Sequence, residues 1–156
     1  MPVRRIHQFF FNFDGRRLED FELFVQSHQA YKSIPGWQYK LWGEGEIEAL
    51  CRERYPKIWP EYQKLRFPIQ KLDLGKYIVA DACGGIISDL DVIPISSDFD
   101  RLVGDSHYIF DRCTRRHVIA NDFFYVGEDG LPGIFDYFLE NIRRVDSISA
   151  YRQRKM

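Results

Sequence analysis

KLDLGKYIVADACGGIISDLDVIP, residues 71–94, decides the fold. Ile69, Leu72, Lys76, Tyr77, Ala80 and Cys83 recur at helical spacing. Gly84-Gly85 then stops the helix, because glycine takes the left-handed cap conformation without a Cβ clash. Ile86 and Ile87 begin a β-branched strand, which runs into Asp89 and Asp91 with Leu90 between them before Val92 and Ile93 resume the apolar run. Carboxylates at the end of a strand that enters a core call for a cation there. Alternation puts Asp89 and Asp91 on one side of an extended chain, where both can face one divalent ion. The competing reading is a surface turn carrying two solvated acids.

Upstream, residues 3–11 read as a buried first strand, and Asn12, Asp14 and Gly15 supply a turn. Residues 18–31 are helical in pattern, with Leu18, Phe21, Phe24, Val25 and His28 on one face. Pro35-Gly36 breaks the chain, residues 37–42 alternate as a second strand, and 46–55 form a short helix that stops near Pro56. Residues 57–68, with Pro60 and Pro68, read as loop plus a short helix. Downstream come a turn or short helix at 98–102 and strands at 108–110 and 123–126. A final helix at 132–144 turns Ile134, Phe135, Phe138, Leu139 and Ile142 inward, and a basic tail from about 146 is expected to fray. Strands alternating with helices predict an α/β fold, a mostly parallel sheet flanked by helices. With 156 residues and no repeat or linker, a single domain over 1–156 is expected.

Composition narrows the function. Hydrophobic residues make up 45% and charged ones 29%, an ordinary globular balance, and the net charge of −1 argues against a nucleic-acid partner. Cys51, Cys83 and Cys113 form no Cys-x-x-Cys, so neither a zinc ribbon nor a disulfide framework is indicated. A reducing, cytoplasmic setting fits best. The apolar run near the start is too short for a signal peptide or a membrane span, and no transmembrane segment is expected elsewhere. Aromatics reach 16%; they read as core first, and as stacking surfaces for a base or sugar second. His107 and His117 make no metal cluster with the acids by spacing.

Asp73-Leu74-Gly75-Lys76-Tyr77 followed by Gly84-Gly85-Ile86-Ile87-Ser88-Asp89-Leu90-Asp91 resembles the core of the glycosyltransferases whose sugar-binding region carries an Asp-x-Asp motif. That group includes the yeast outer-chain α-mannosyltransferases, capsular polysaccharide transferases and, more distantly, the large clostridial glucosylating toxins. Ile6-His7-Gln8 and residues 37–42 resemble that family's first two strands, so the likeness runs over roughly 4–142. The resemblance implies a nucleotide-sugar-binding, GT-A-like fold. It also implies a metal-dependent hexosyltransferase that retains anomeric configuration, moving a sugar from a UDP- or GDP-sugar to a glycan or other hydroxyl acceptor. Manganese or magnesium would sit on Asp89 and Asp91, with Asp91 the more direct ligand and Asp89 also reaching the ribose or sugar.

Further roles follow from the resemblance. Asp73 would bind donor-sugar hydroxyls, and Lys76, where the family has arginine, would support sugar or phosphate with a point charge instead of a fork. Taken alone, Asp73 and Lys76 are a solvated helical ion pair. Gly84 and Gly85 would admit a ligand close to the backbone, or serve only as the cap. His7 and Gln8 would lie near the nucleotide, or be a satisfied polar pair at a strand end. Phe9, Phe10 and Phe11 would wall the base pocket, or be core. Asn121 and Asp122 would neighbour the donor sugar, or form a plain turn. Lys76 and Ile87, the latter replacing a tyrosine, favour an alternative: a non-catalytic sugar-nucleotide or glycan-binding module, or a degraded transferase.

Overall fold

A computed structural model describes residues 3–101, 103, 108–109 and 121–153. The strands are β1 (Arg5–Phe9), β2 (Gln38–Trp42), β3 (Gly85–Ser88), β4 (Tyr108–Ile109) and β5 (Phe123–Val126). The α-helices are α1 (Glu22–Lys32), α2 (Glu44–Arg54), α3 (Trp59–Lys64), α4 (Pro68–Cys83) and α5 (Ile134–Gln153), with single 3-10 turns at Leu18–Asp20 and Phe99–Arg101. The helix expected to end at residue 144 thus continues to Gln153, through most of the basic tail. Phe110, Cys113, His107, His117 and the apolar run 118–120 lie outside the described residues. No helix among the described residues is long and apolar enough to cross a membrane.

The strands form one sheet in the order β2-β1-β3-β5-β4. β1 pairs in parallel with β2 and with β3, whereas β5 runs antiparallel to both β3 and β4. The sheet is therefore mixed, which corrects the expectation of a mostly parallel one. Helices α1 and α4 supply the crossovers that parallel β1-β2 and β2-β3 connections demand, but β5 enters beside β3 from the opposite end. That reversal matters. The register Ser88↔Phe123 brings the residues just before β5 to the carboxyl end of β3.

Strand alternation sorts the core. Ile6, Ile86 and Tyr125 turn to one face, where they meet Tyr31 and Ile34 from the α1 region and Phe99. Phe9, Ile87, Phe124 and Val126 turn to the other, against α2, α3 and α4 and the Phe135, Phe138 and Leu139 side of α5. With both faces covered, β3 is buried along its whole length. In the middle of α4, a Cβ on Gly75 would stand 3.0 Å from two Ile47 carbons, so the missing side chain lets α2 approach closely. Asp81 on α4 accepts from the Tyr55 hydroxyl at 2.7 Å and the Leu131 N–H at 2.6 Å, which ties the segment between β5 and α5 to the core.

The α4–β3 joint depends on its two glycines. Gly84 has φ 60° and Gly85 φ 96°, conformations that L side chains rarely adopt. A Cβ on Gly85 would lie 2.5 Å from the Arg5 carbonyl oxygen, inside the β1–β3 pairing. Gly85→Ala is therefore expected to lose about 3 kcal/mol of stability from strain and collision together. A urea unfolding midpoint shifted by less than a third of the amount corresponding to that loss would contradict this account.

Candidate functional site

Parallel β1 and β3 end at the same edge of the sheet, the edge where α/β folds place ligands. A cavity of about 390 Å³ opens there. Its wall is phenylalanine: Phe9, Phe10 and Phe11 continue out of β1, Phe13 follows, and Phe21 and Phe24 come from the start of α1. Phe21 and Phe24 stack at 4.8 Å between centroids, and the Arg16 guanidinium lies 4.4 Å above the Phe21 ring. The polar side of the cavity is made by Asp73 and Lys76 of α4, Asp89 and Asp91 after β3, Asn121 before β5, and the Asp14/Arg16 pair at the lip.

Lys76 is the central cation. Its ammonium lies 2.6 Å from Asp89 Oδ1 and 3.6 Å from Asp73 Oδ1; the Lys76 side chain is 3% exposed, against 28% for Asp89 and 48% for Asp73. The helical Asp73–Lys76 pair is thus the weaker partnership, and the shorter contact reaches across to the strand end. Burial pushes the Asp89 carboxyl above its ordinary value, the Lys76 charge opposes that, and Asp91 and Asp122 reinforce it. Asp91 is exposed at the cavity edge.

The two acids do not share an extended chain. β3 ends at Ser88, and Val92 N–H donates to the Asp89 carbonyl at 3.2 Å, closing a turn that contains Leu90 and Asp91. Leu90 is buried, and both acids still reach the cavity. Neighbouring elements pin this turn. Asp89 N–H donates to the Asp122 carbonyl at 2.8 Å, a bond that exists because β5 is antiparallel to β3. The Gln8 amide donates to the Asp89 carbonyl at 3.2 Å and to Ser27 Oγ at 2.8 Å, and the Ser27 hydroxyl donates to the Val92 carbonyl at 2.6 Å. Gln8 Oε1 accepts from the Tyr39 hydroxyl at 3.0 Å, so the His28 Nδ1 atom, 2.7 Å from that hydroxyl, carries the proton that it donates.

Of the residues singled out from sequence, Asp73, Lys76, Phe9, Phe10, Phe11, Asp89, Asp91 and Asn121 line the cavity. Asp122 acts on it through its backbone carbonyl and its charge. Gln8 stands behind the wall as a brace for the turn. His7 faces away: Trp42 Nε1 donates to its Nδ1 at 3.0 Å, and its Nε2 donates to the Gly84 carbonyl at 3.0 Å. Gly84 and Gly85 lie at the start of β3, about 13 Å along the strand from the acids at roughly 3.3 Å per residue, and serve the backbone there. Sequence reasoning placed Phe21 and Phe24 on a helix face and gave them, like Phe13, Arg16 and Ser27, no role at the site. Phe21 and Phe24 carried a signal in their i, i+3 spacing, but Ser27 carried none, because its partners lie 19 and 65 residues away.

The fold and cavity define a small α/β domain with an acid-edged, aromatic-walled pocket at its strand ends. Compared with protein family models, curated proteins and solved structures, the chain matches none of them.

Two stability predictions follow from the geometry. Asp89→Asn strands the buried Lys76 ammonium, with Asp73 as a more distant partner, and is expected to cost about 2 kcal/mol. This is less than the loss typical of a fully buried broken pair. Asp91→Asn, on the exposed edge, is expected to stay within about 0.5 kcal/mol; equal urea midpoints for the two variants would refute the assignment of Lys76 to Asp89. Burial lowers the His7 pKa to about 4. The unfolded state is then the better proton binder between roughly pH 6.5 and 4. Stability should accordingly fall as pH drops through that window, by about 3 kcal/mol at most, with the raised Asp89 carboxyl acting in the opposite sense near its lower end. The loss should flatten in His7→Gln, and an unchanged pH profile in that variant would show that His7 is not the group responsible.

Proposed function

We propose that this chain is a metal-dependent glycosyltransferase with a GT-A-like fold, acting in the cytoplasm. It moves a hexose from a UDP- or GDP-sugar to a glycan or other hydroxyl acceptor with retention of configuration. One observation carries the reading: aromatic rings, Asp73, Lys76, Asp89, Asp91 and Asn121, far apart in sequence, line one cavity at the ends of β1 and β3. The motif resemblance through Asp73, Lys76 and the Asp89-Leu90-Asp91 run adds to it.

Charge makes the metal part of the same argument. The lining carries Asp14, Asp73, Asp89 and Asp91 against Arg16 and Lys76, so a diphosphate alone would meet a net negative surface. Among the described residues no group of three or more His, Cys, Asp or Glu side chains is placed to hold an ion unaided. Asp89 and Asp91 are hard oxygen donors, a partial set suited to manganese or magnesium when phosphate oxygens complete the coordination. A bound ion would offset the charge that develops on the departing diphosphate. In this reading the Phe21/Phe24 stack receives the base, Asp73 and Asn121 take sugar hydroxyls, and the braced turn fixes where the acids stand.

The second reading, a non-catalytic sugar-nucleotide or glycan-binding module, draws on Lys76, whose charge already sits on Asp89. Donor hydrolysis separates the two, since a transferase without acceptor turns over donor slowly and a binding module does not.

Calorimetry is expected to show UDP or GDP binding that strengthens at least about tenfold with manganese, and that Asp91→Asn abolishes the gain while leaving the fold intact. Equal affinity in excess chelator, or wild-type manganese dependence in Asp91→Asn, would overturn the reading.

A further inference from the structure

Resting on the reading above, we infer that Lys76 is a resident counter-cation for the acid pair, which a divalent ion must displace from Asp89, and that Asp73 is the seat to which it retreats. The ammonium sits 2.6 Å from Asp89 Oδ1 and is enclosed by protein, so it occupies the cationic place beside one of the two donor carboxylates. Two positive charges cannot share that carboxylate at contact distance without strong repulsion. Asp73 Oδ1 lies 3.6 Å from the same Nζ, one helical turn back on α4, so a small rotation of the flexible lysine stem moves the charge to a partner already in place. A guanidinium at this position would bridge both carboxylates with its fork and resist that transfer; the single ammonium point charge can leave one for the other. The lysine therefore makes the site a poor trap for metal alone and a better one for metal arriving with a diphosphate, whose oxygens give the displaced ammonium a further partner. Selectivity for the metal–nucleotide pair over free metal follows from that exchange.

The test uses manganese alone, with free ion followed by electron paramagnetic resonance. Lys76→Met removes the competing charge, and Lys76→Gln removes it while an amide still donates to Asp89, so at least one neutral variant retains a folded site. Manganese should bind either folded variant about tenfold more tightly than wild type, the size of one charge interaction worth a pK unit. Asp73→Asn should weaken binding in the wild-type background, and that loss should shrink when Lys76 is also neutral, since coupled residues are non-additive. Unchanged or weaker manganese binding in the folded neutral variants overturns the proposal, as does an Asp73 effect independent of Lys76. In the wild-type protein, saturating magnesium alone should shift the Lys76 ammonium resonance in lysine-labelled samples; a resonance unmoved across the titration also overturns it. The outcomes separate from those of the proposed function. Tighter manganese binding in the neutral variants, without manganese-dependent nucleotide binding by wild type, sustains the counter-cation and rejects the transferase. The reverse pattern keeps the transferase and rejects the counter-cation.

Discussion

An ammonium on α4 and a carboxylate just past β3 meet at 2.6 Å, and the geometry of the cavity depends on that contact. It joins the long helix on one face of the sheet to the end of the strand at the sheet's centre. Taking both charges from water is expensive, so a pair like this persists where geometry and further partners compensate. Here Asp73 stands within 3.6 Å of the ammonium, and the backbone on both sides of Asp89 is held by hydrogen bonds. Removing Asp89 leaves the Lys76 ammonium buried and removing Lys76 leaves Asp89 half-buried, which makes the pair a constraint on the site more than a source of stability.

Around that pair two buried polar side chains brace one turn. Gln8 and Ser27 are fully buried, and their hydrogen bonds converge on the carbonyls of Asp89 and Val92. Each donor and acceptor in the chain from His28 through Tyr39 and Gln8 to Ser27 has one assignment that satisfies all of them. A network with a single satisfied arrangement fixes side-chain orientation more firmly than apolar packing does. Binding chemistry needs that fixity, because acids on a loose turn would lose their mutual geometry.

At the far end of β3 the backbone has the opposite requirement. Gly84 and Gly85 let α4 turn into the sheet where a Cβ would strike Gly127, Val126 or Arg5. His7, held neutral between Trp42 and the Gly84 carbonyl, packs the same joint from β1. The two ends of one short strand thus differ in character: glycines and a buried histidine at its start, cavity-lining carboxylates at its finish.

The sequence by itself determined the local elements around residues 71–94. Apolar spacing marked α4, the glycine pair marked its stop, and the β-branched pair marked β3, because helix periodicity, cap conformation and strand preference are properties of neighbouring residues. It also picked out Asp73, Lys76, Asp89, Asp91 and Asn121, which line the cavity together. Tertiary structure alone decided the rest. The reversed β5, which carries the Asp122 carbonyl to Asp89, depends on pairing between segments more than thirty residues apart, and no local pattern encodes strand direction. The turn at Asp89 replaced the expected extended run because Gln8, Ser27 and Asp122 hold its backbone from three other elements. Lys76 looked like half of a solvated helical pair, since spacing within α4 reveals Asp73 but not the carboxylate across the helix–strand interface. Burial of that ammonium, and with it the character of the site, exists only once the helix is laid against the sheet.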